Sequence, residues 1–250
     1  MSNNKLQRHV MCVFILIISS TLYADDLNLN PPFGDSTYAA YRVFSPDHSD
    51  AADYKDQVIV VFHGFLSAVP NGTFKRIRKK FLQTHTTIGI NYDPLEVDNT
   101  VKFLDEIEKH YLQGHKVTVI GTSLGGFWAD YFGNAIDAEK IIKLNPMVNP
   151  STQLSKHVDK TQHNKRRGQD YAMTRNTLEM YEKLEKKKQS GVASLLILTK
   201  DDEHIPYDLA IDKYHDQVGV TIQVYDNGGH TINLKKHEAL QRIADYIHER

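Results

Sequence analysis

The chain has 250 residues, of which 40% are hydrophobic and 24% charged, with 30 Lys and Arg against 31 Asp and Glu. This balance excludes an intrinsically disordered polyelectrolyte and is typical of a globular protein. A chain of this length can bury a core that needs no disulfide bonds. The single cysteine, Cys12, excludes a disulfide framework within the chain and argues against a cysteine-based zinc site.

The first 24 residues have the pattern of a secretory signal peptide. The basic residues Lys5 and Arg8 precede an apolar run, Val10–Ile18, and Ala24 is a small residue suited to cleavage. The apolar run is too short to span a bilayer comfortably. We therefore expect a mature chain over 25–250 that is exported, to the periplasm or out of the cell. An uncleaved anchor or a buried N-terminal helix is the alternative.

Short apolar runs then alternate with longer amphipathic segments along the chain. The runs predict six strands: Val58–Phe62, Thr87–Ile90, Val117–Ile120, Ile141–Leu144, Leu195–Leu198 and Val220–Val224. The segments predict five helices: Thr73–Thr84, Val97–Leu112, Leu124–Ile136, Tyr207–His215 and Leu234–His248. Continuous apolar character is typical of strands buried on both faces. The alternation therefore predicts an α/β fold with a mostly parallel sheet and helices on both of its faces.

The segment after the third predicted strand has the G-x-S-x-G pattern, Gly121-Thr122-Ser123-Leu124-Gly125. Between a strand and a helix, this pattern is typical of a nucleophile elbow, a sharp turn that exposes a serine hydroxyl at a helix N-terminus. Ser123 is therefore the candidate nucleophile. A glycine-rich turn without chemistry is the alternative.

A nucleophilic serine needs a histidine base and an acid that orients it, and in this fold class the acid and the histidine follow the serine in that order. Asp202 comes after the fifth predicted strand and His230 after the sixth. Asp202 is the preferred acid because of its spacing from Ile205-Pro206, and Asp201 stays open as the alternative. The position of His230 on a Gly-Gly loop after the last strand separates it from the other histidines.

A tetrahedral intermediate also needs backbone N–H donors for its oxyanion. They usually come from the residue after the nucleophile and from the loop after an earlier strand. These residues would be Leu124 and Phe65, because Gly64 lets that loop turn an N–H inward. We expect His63 to be a structural hydrogen-bonding residue at this turn and not a second base.

About forty residues, Ser151–Ser190, interrupt the alternation of strands and helices and have the character of an insertion. They carry ten basic and five acidic residues, a net charge of +5. We predict no strand in them, a looser first part and a helix over Tyr171–Lys188. Their charge has two open interpretations: a solvated helix face, or attraction for an anionic membrane surface or an acidic substrate.

Together, His63-Gly64-Phe65, the elbow with Gly126-Phe127-Trp128-Ala129 after it, and Asn145-Pro146 resemble the small bacterial esterases of the YqiA/YcfP type. The similarity continues through Asp202-Glu203 and Gly228-Gly229-His230 and covers roughly 58–247. This resemblance implies an α/β-hydrolase fold and a carboxylic ester or thioester hydrolase with a serine triad. By analogy with that fold, the insertion would be a cap that shapes substrate choice. The export signal and the insertion depart from these compact cytoplasmic proteins, so no substrate preference is carried over.

The sequence therefore predicts an exported serine esterase or thioesterase with catalytic Ser123, Asp202 and His230 and with oxyanion donors at Phe65 and Leu124. We expect a small-molecule or lipid ester as substrate. We expect no cofactor, because no H-E-x-x-H or comparable metal spacing occurs. Nucleic acid is not an expected partner, because no recognised binding module accompanies the basic residues. A membrane-associated lipase or acyltransferase and a catalytically silent binding protein of the same fold are the alternatives.

Overall fold

The computed structural model describes residues 25–27, 38–43, 56–187, 191–235 and 238–249. The expected signal peptide, 1–24, lies outside these ranges. Within them, no helix is both long and apolar enough to cross a bilayer.

The described residues form ten strands, eight of which belong to one sheet. In chain order the strands are β1 (Asp25–Leu27), β2 (Ala39–Val43), β3 (Gln57–Phe62), β4 (Thr86–Asn91), β5 (Lys116–Thr122), β6 (Lys140–Leu144), β7 (Thr161–Asn164), β8 (Gln169–Ala172), β9 (Ser194–Thr199) and β10 (Val220–Tyr225). The order in the large sheet is β1-β2-β4-β3-β5-β6-β9-β10. The six strands from β4 to β10 in this order run parallel, whereas β1 and β2 pair antiparallel at one edge.

Seven α-helices connect or follow these strands. They are α1 (Gly72–Phe81), α2 (Val97–Ile107), α3 (Leu124–Ala135), α4 (Pro150–Gln153), α5 (Arg175–Glu185), α6 (Tyr207–Tyr214) and α7 (Ala239–His248) in the described residues. A π-helical turn over Glu108–Leu112 extends α2. All six predicted strands and all five predicted helices between them are present, which confirms the predicted α/β class.

The core lies in two layers, one on each face of the sheet. Ile59 and Val61 of β3 pack with α1 and α7, whereas Val60 and Phe62 of the same strand pack with α2 and α3. Alternate residues of a strand point to opposite faces. The continuous apolar run of β3 therefore contributes side chains to both layers. The carboxyl end of β3 lies at the sheet edge where the loops after the parallel strands meet.

The prediction that the insertion contains no strand is wrong. The polar segments β7 and β8 pair antiparallel as a hairpin. Asn164 forms its turn, because the side-chain oxygen accepts the backbone N–H of Arg166 at 3.0 Å and of Arg167 at 3.3 Å. The predicted helix over Tyr171–Lys188 is also shorter than expected. It begins only after Thr174, whose hydroxyl caps α5 by accepting the N–H of Thr177 at 3.2 Å.

The insertion is attached to the loops at the carboxyl edge of the sheet. Asn164 donates from its side-chain amide to the carbonyl of Ser67 at 3.1 Å, in the segment after β3. Tyr181 of α5 is buried and donates to the carbonyl of Pro94 at 2.8 Å, in the loop after β4. These bonds fix the hairpin and α5 above the ends of the central strands.

Candidate active site

The turn between β5 and α3 has the geometry of a nucleophile elbow. Ser123 has φ 57° and ψ −125°, a conformation that costs energy for any residue other than glycine. Its backbone N–H donates to the carbonyl of Leu144 at 3.0 Å, and its carbonyl accepts the N–H of Met147 at 2.9 Å. A side chain on Gly121 would overlap the carbonyl of Gly125. The glycines and these bonds from the end of β6 therefore hold Ser123 in a strained turn.

The loop after β3 lies directly beside this serine. A Cβ on Gly64 would be 3.1 Å from the Cβ of Ser123, closer than most side-chain contacts in proteins. His63 is buried and donates from Nδ1 to the carbonyl of Gly64 at 2.7 Å. Its ring stacks on Tyr92 with centroids 4.5 Å apart, and the Tyr92 hydroxyl donates to the His63 carbonyl at 2.7 Å. Burial lowers the pKa of His63 to about 3, so the ring is neutral and acts in the loop's hydrogen bonding.

Asp202 and His230 meet at the same edge, after β9 and β10. Both carboxylate oxygens of Asp202 lie 2.8–2.9 Å from Nδ1 of His230. The Asp202 side chain is 1% exposed, and one of its oxygens also accepts the backbone N–H of His204 and of Ile205. Burial raises the pKa of a carboxyl group, but the hydrogen bonds from His230 and the two backbone donors outweigh it and lower the pKa of Asp202. The carboxylate is thus ionised and oriented toward the imidazole.

The neighbouring acids make backbone contacts instead. Asp201 accepts the N–H of Gly229 at 2.8 Å, and Glu203 accepts the N–H of His230 at 2.9 Å. Of the two candidate acids, Asp202 is the one whose carboxylate contacts the histidine ring. Asp201 and Glu203 hold the loop that carries the ring.

Asn145 joins three loops at this edge, a role that sequence reasoning missed. Its buried side-chain amide donates to the carbonyls of Gly229 at 3.0 Å and of His230 at 3.1 Å. It also donates to the hydroxyl of Thr199 at 3.0 Å and accepts the Thr199 N–H at 2.9 Å. In the sequence, the Asn145-Pro146 dipeptide contributes only to the family resemblance and predicts no role for Asn145. A polar amide directly after a buried strand was the one signal of its position.

Ser123 and His230 both line a cavity of about 610 Å³. Phe65 of the loop after β3 also lines it, whereas Leu124 is buried at the start of α3, directly after the serine. Among the described residues, no hydrogen bond joins the Ser123 hydroxyl to the ring of His230. Such bonds are often long without a bound substrate and tighten when one binds. The remaining lining residues are Leu66, Met147, Thr152, Gln153, Leu154, Lys156, His157, His204, Ile205, Pro206 and Leu209.

Comparison with known sequences relates most of the chain to one family. Residues 58–248 match the family described as "Uncharacterised protein family (UPF0227)". A UPF0227 protein of Pectobacterium atrosepticum is 27% identical over 107 residues, which cover 41% of this chain and 58% of that protein. One from Yersinia pseudotuberculosis is 29% identical over 106 residues, again 41% and 58%. The chain thus matches somewhat more than half the length of these curated relatives.

Comparison with solved structures identifies the fold. Est1E from Butyrivibrio proteoclasticus superposes with a TM-score of 0.65 at 10% identity, covering 84% of this chain and 93% of Est1E. Mouse alpha/beta hydrolase domain-containing protein 10 gives 0.62 at 16%, covering 84% and 93%. The esterase EaEST from Exiguobacterium antarcticum gives 0.55 at 16%, covering 85% and 96%. At these identities the likeness shows that the fold is that of the α/β-hydrolases.

Proposed function

Because this chain belongs to the UPF0227 family and has an α/β-hydrolase fold, we propose that it is a serine hydrolase that cleaves carboxylic esters or thioesters. The observation that carries the proposal is the ionised Asp202 on Nδ1 of His230, with His230 and the strained Ser123 lining one cavity. An acid on one imidazole nitrogen fixes the tautomer whose other nitrogen is a base.

In the proposed reaction, the Ser123 hydroxyl attacks the carbonyl carbon while Nε2 of His230 takes its proton. Asp202 stabilises the imidazolium that forms. The oxyanion of the tetrahedral intermediate accepts the backbone N–H groups of Leu124 and Phe65. His230 then gives the proton to the departing alcohol or thiol, and an acyl-Ser123 intermediate remains. Water attacks this ester with His230 again as base, which releases the acid and restores the serine.

The proposal supplies a reason for the strained elbow and the bare backbone at Gly64. A serine at φ 57° presents its side chain at the N-terminal end of α3, where the helix dipole favours a developing negative charge. The close approach of Gly64 to Ser123 supports the proposed role of the Phe65 N–H as an oxyanion donor. We also propose that the enzyme works outside the cytoplasm, in keeping with the expected signal peptide. Fractionation of cells that express the full chain tests this.

The test of the proposed activity is hydrolysis of short-chain nitrophenyl esters by the protein and by Ser123→Ala. We expect kcat to fall by about 10³-fold or more, because the nucleophile is removed. A fluorophosphonate probe should label the wild type and not the variant. Ser194→Ala is the matched control, since Ser194 is a buried serine at the start of β9 and outside the cavity. Equal rates for wild type and Ser123→Ala, or equal labelling, would contradict the mechanism.

A further inference from the structure

The ionisable side chains that line the cavity are all basic residue types. Apart from His230, the ionisable residues among its described lining are Lys156, His157 and His204, and none of the lining residues is acidic. Lys156 and His157 come from the insertion and follow α4. The nearby carboxylates are already in use: Asp202 on His230, and Glu203 on the His230 N–H and 3.7 Å from His204.

Lys156 has no acidic partner in the described part of the chain, a state that it shares with Lys116 and Lys140 of the sheet. Within the described part of the chain, no carboxylate oxygen lies within 4.0 Å of its ammonium. By contrast, Lys143 lies 2.6 Å from Asp130, and Lys200 lies 2.7 Å from Asp226. Its charge at the cavity wall is therefore not neutralised by a neighbouring acid.

A second ammonium reinforces this positive wall. Lys160 folds back and donates to the carbonyl of Lys156 at 2.9 Å. Burial, and then the charges of Lys156 and Lys160, lower the pKa of His157, so this ring is neutral and the positive charge of the wall belongs to the two lysines. The His157 ring lies against Phe65, with centroids 5.5 Å apart. The positive potential therefore lies beside the loop proposed to hold the oxyanion.

Most of the remaining cavity surface is apolar. Met147, Ile205, Pro206 and Leu209 line it, and Leu209 is 38% exposed. A ligand that fills the cavity meets hydrocarbon along these walls and a cationic wall on the insertion. We propose that the cavity selects esters or thioesters that carry an anionic group, a carboxylate or a phosphate, held by Lys156 and His157. This inference rests on the proposed function and names its substrate class.

The effect of the lysine should be moderate, because Lys156 is exposed and water screens its charge. Lys156→Ala should lower kcat/KM for an anionic ester about two- to fivefold. Lys156→Glu replaces attraction by repulsion and should lower it about tenfold. Both changes should act mainly on KM and leave neutral esters within about twofold.

The experiment uses matched esters that differ only at the far end of the acyl chain. They are 4-nitrophenyl pentanoate, which is neutral, 4-nitrophenyl hemiglutarate, which ends in a carboxylate, and the 4-phosphonobutanoate ester. A second pair tests the alcohol side: 3-carboxyphenyl butyrate carries the anion there, and phenyl butyrate is its neutral counterpart. Comparing wild type and variant on each ester cancels differences in intrinsic reactivity. Lys183→Glu is the control, because Lys183 is an exposed lysine of α5 outside the cavity and carries the same charge change.

The inference is supported if Lys156→Glu lowers kcat/KM for at least one anionic ester about tenfold while the neutral ester and Lys183→Glu change little. It is overturned if Lys156→Glu and Lys183→Glu lower kcat/KM for the anionic esters equally. It is also overturned if Lys156→Glu lowers kcat/KM for the neutral ester as much as for the anionic ones. Calorimetry of 4-nitrophenyl hemiglutarate with Ser123→Ala, with and without Lys156→Glu, measures binding apart from turnover. Equal affinities there would also overturn it. Failure of the proposed hydrolase function would give a different result, since wild type and Ser123→Ala would then be equally slow on every ester.

Discussion

The carboxyl edge of the sheet and the insertion line the same cavity but are held in place differently. Ser123, Asp202 and His230 lie in the segments after β5, β9 and β10, and hydrogen bonds between the loops at this edge hold them. The insertion packs Leu154, Met173, Tyr181 and Leu184 into the core but leaves Lys156 and His157 at exposed or half-buried positions. Groups proposed for bond breaking thus depend on the core. Groups proposed for substrate choice lie at exposed or half-buried positions, where a substitution has little effect on the core.

The sharpest test of the edge compares its two adjacent acids. Asp202→Asn should lower kcat by about 10³- to 10⁴-fold, because an amide cannot hold the His230 tautomer or stabilise its charge. Asp201→Asn should cost less than about tenfold, since an amide oxygen still accepts the Gly229 N–H. Steady-state hydrolysis of a nitrophenyl ester measures both. A larger loss for Asp201→Asn would reverse the assignment of the acid.

The next prediction concerns the loop that carries the histidine. Asn145→Ala removes the donor for the Gly229 and His230 carbonyls, so the imidazole loses its fixed position and kcat should fall about 10- to 100-fold. KM should change by less than about threefold. Asn134→Ala is the control: its amide also donates to a backbone carbonyl, that of Asp130 at 2.7 Å, but this bond lies within α3 and not in the loop that carries His230. Full activity of folded Asn145→Ala, checked by urea unfolding, would refute this positioning role.

The smallest effect is expected on the insertion side. Asn164→Ala removes the turn contacts of the hairpin and its bond to Ser67, which should destabilise the fold by about 1–3 kcal/mol. Because the bond to Ser67 holds the loop that lines the cavity with Phe65 and Leu66, and makes no contact with Ser123, Asp202 or His230, KM should rise about two- to tenfold with kcat within about threefold. Gln162→Ala on the same strand, whose amide contacts only the adjacent Thr161 carbonyl, should change neither. A loss of kcat as large as that of Asn145→Ala would show that the two regions are not separable.

The sequence predicted the sheet well because burial leaves a strong signal. The six apolar runs fall within two residues of the observed strand ends, since five of these strands are buried between helical layers and the edge strand β10 packs its apolar residues against α6. The edge strands β1 and β2 and the hairpin β7–β8 were not predicted. The hairpin strands, for example, consist largely of polar residues, and Asn164 sets their turn through side-chain bonds that no periodicity reveals.

The site was predictable where it depends on chain order and not where it depends on contacts between loops. The elbow pattern and the ends of β9 and β10 pointed to Ser123, Asp202 and His230, which the structure brings to one edge of the sheet. The bonds of Asn145 to loops some 54 and 84 residues away have no local signature. The unpaired charge of Lys156 is likewise visible only once the neighbouring acids are located.

The position of β10 at the end of the sheet has a consequence for how the molecule loses activity. This strand is the last of the described sheet and most of its residues are only half-buried, whereas β5, which leads to Ser123, lies in the middle and is almost wholly buried. Local opening begins where few buried contacts hold a segment. Backbone amides of β10 should therefore exchange with solvent before those of β5. On gentle heating, such opening would detach the histidine while the serine keeps its elbow, so inactivation precedes global unfolding.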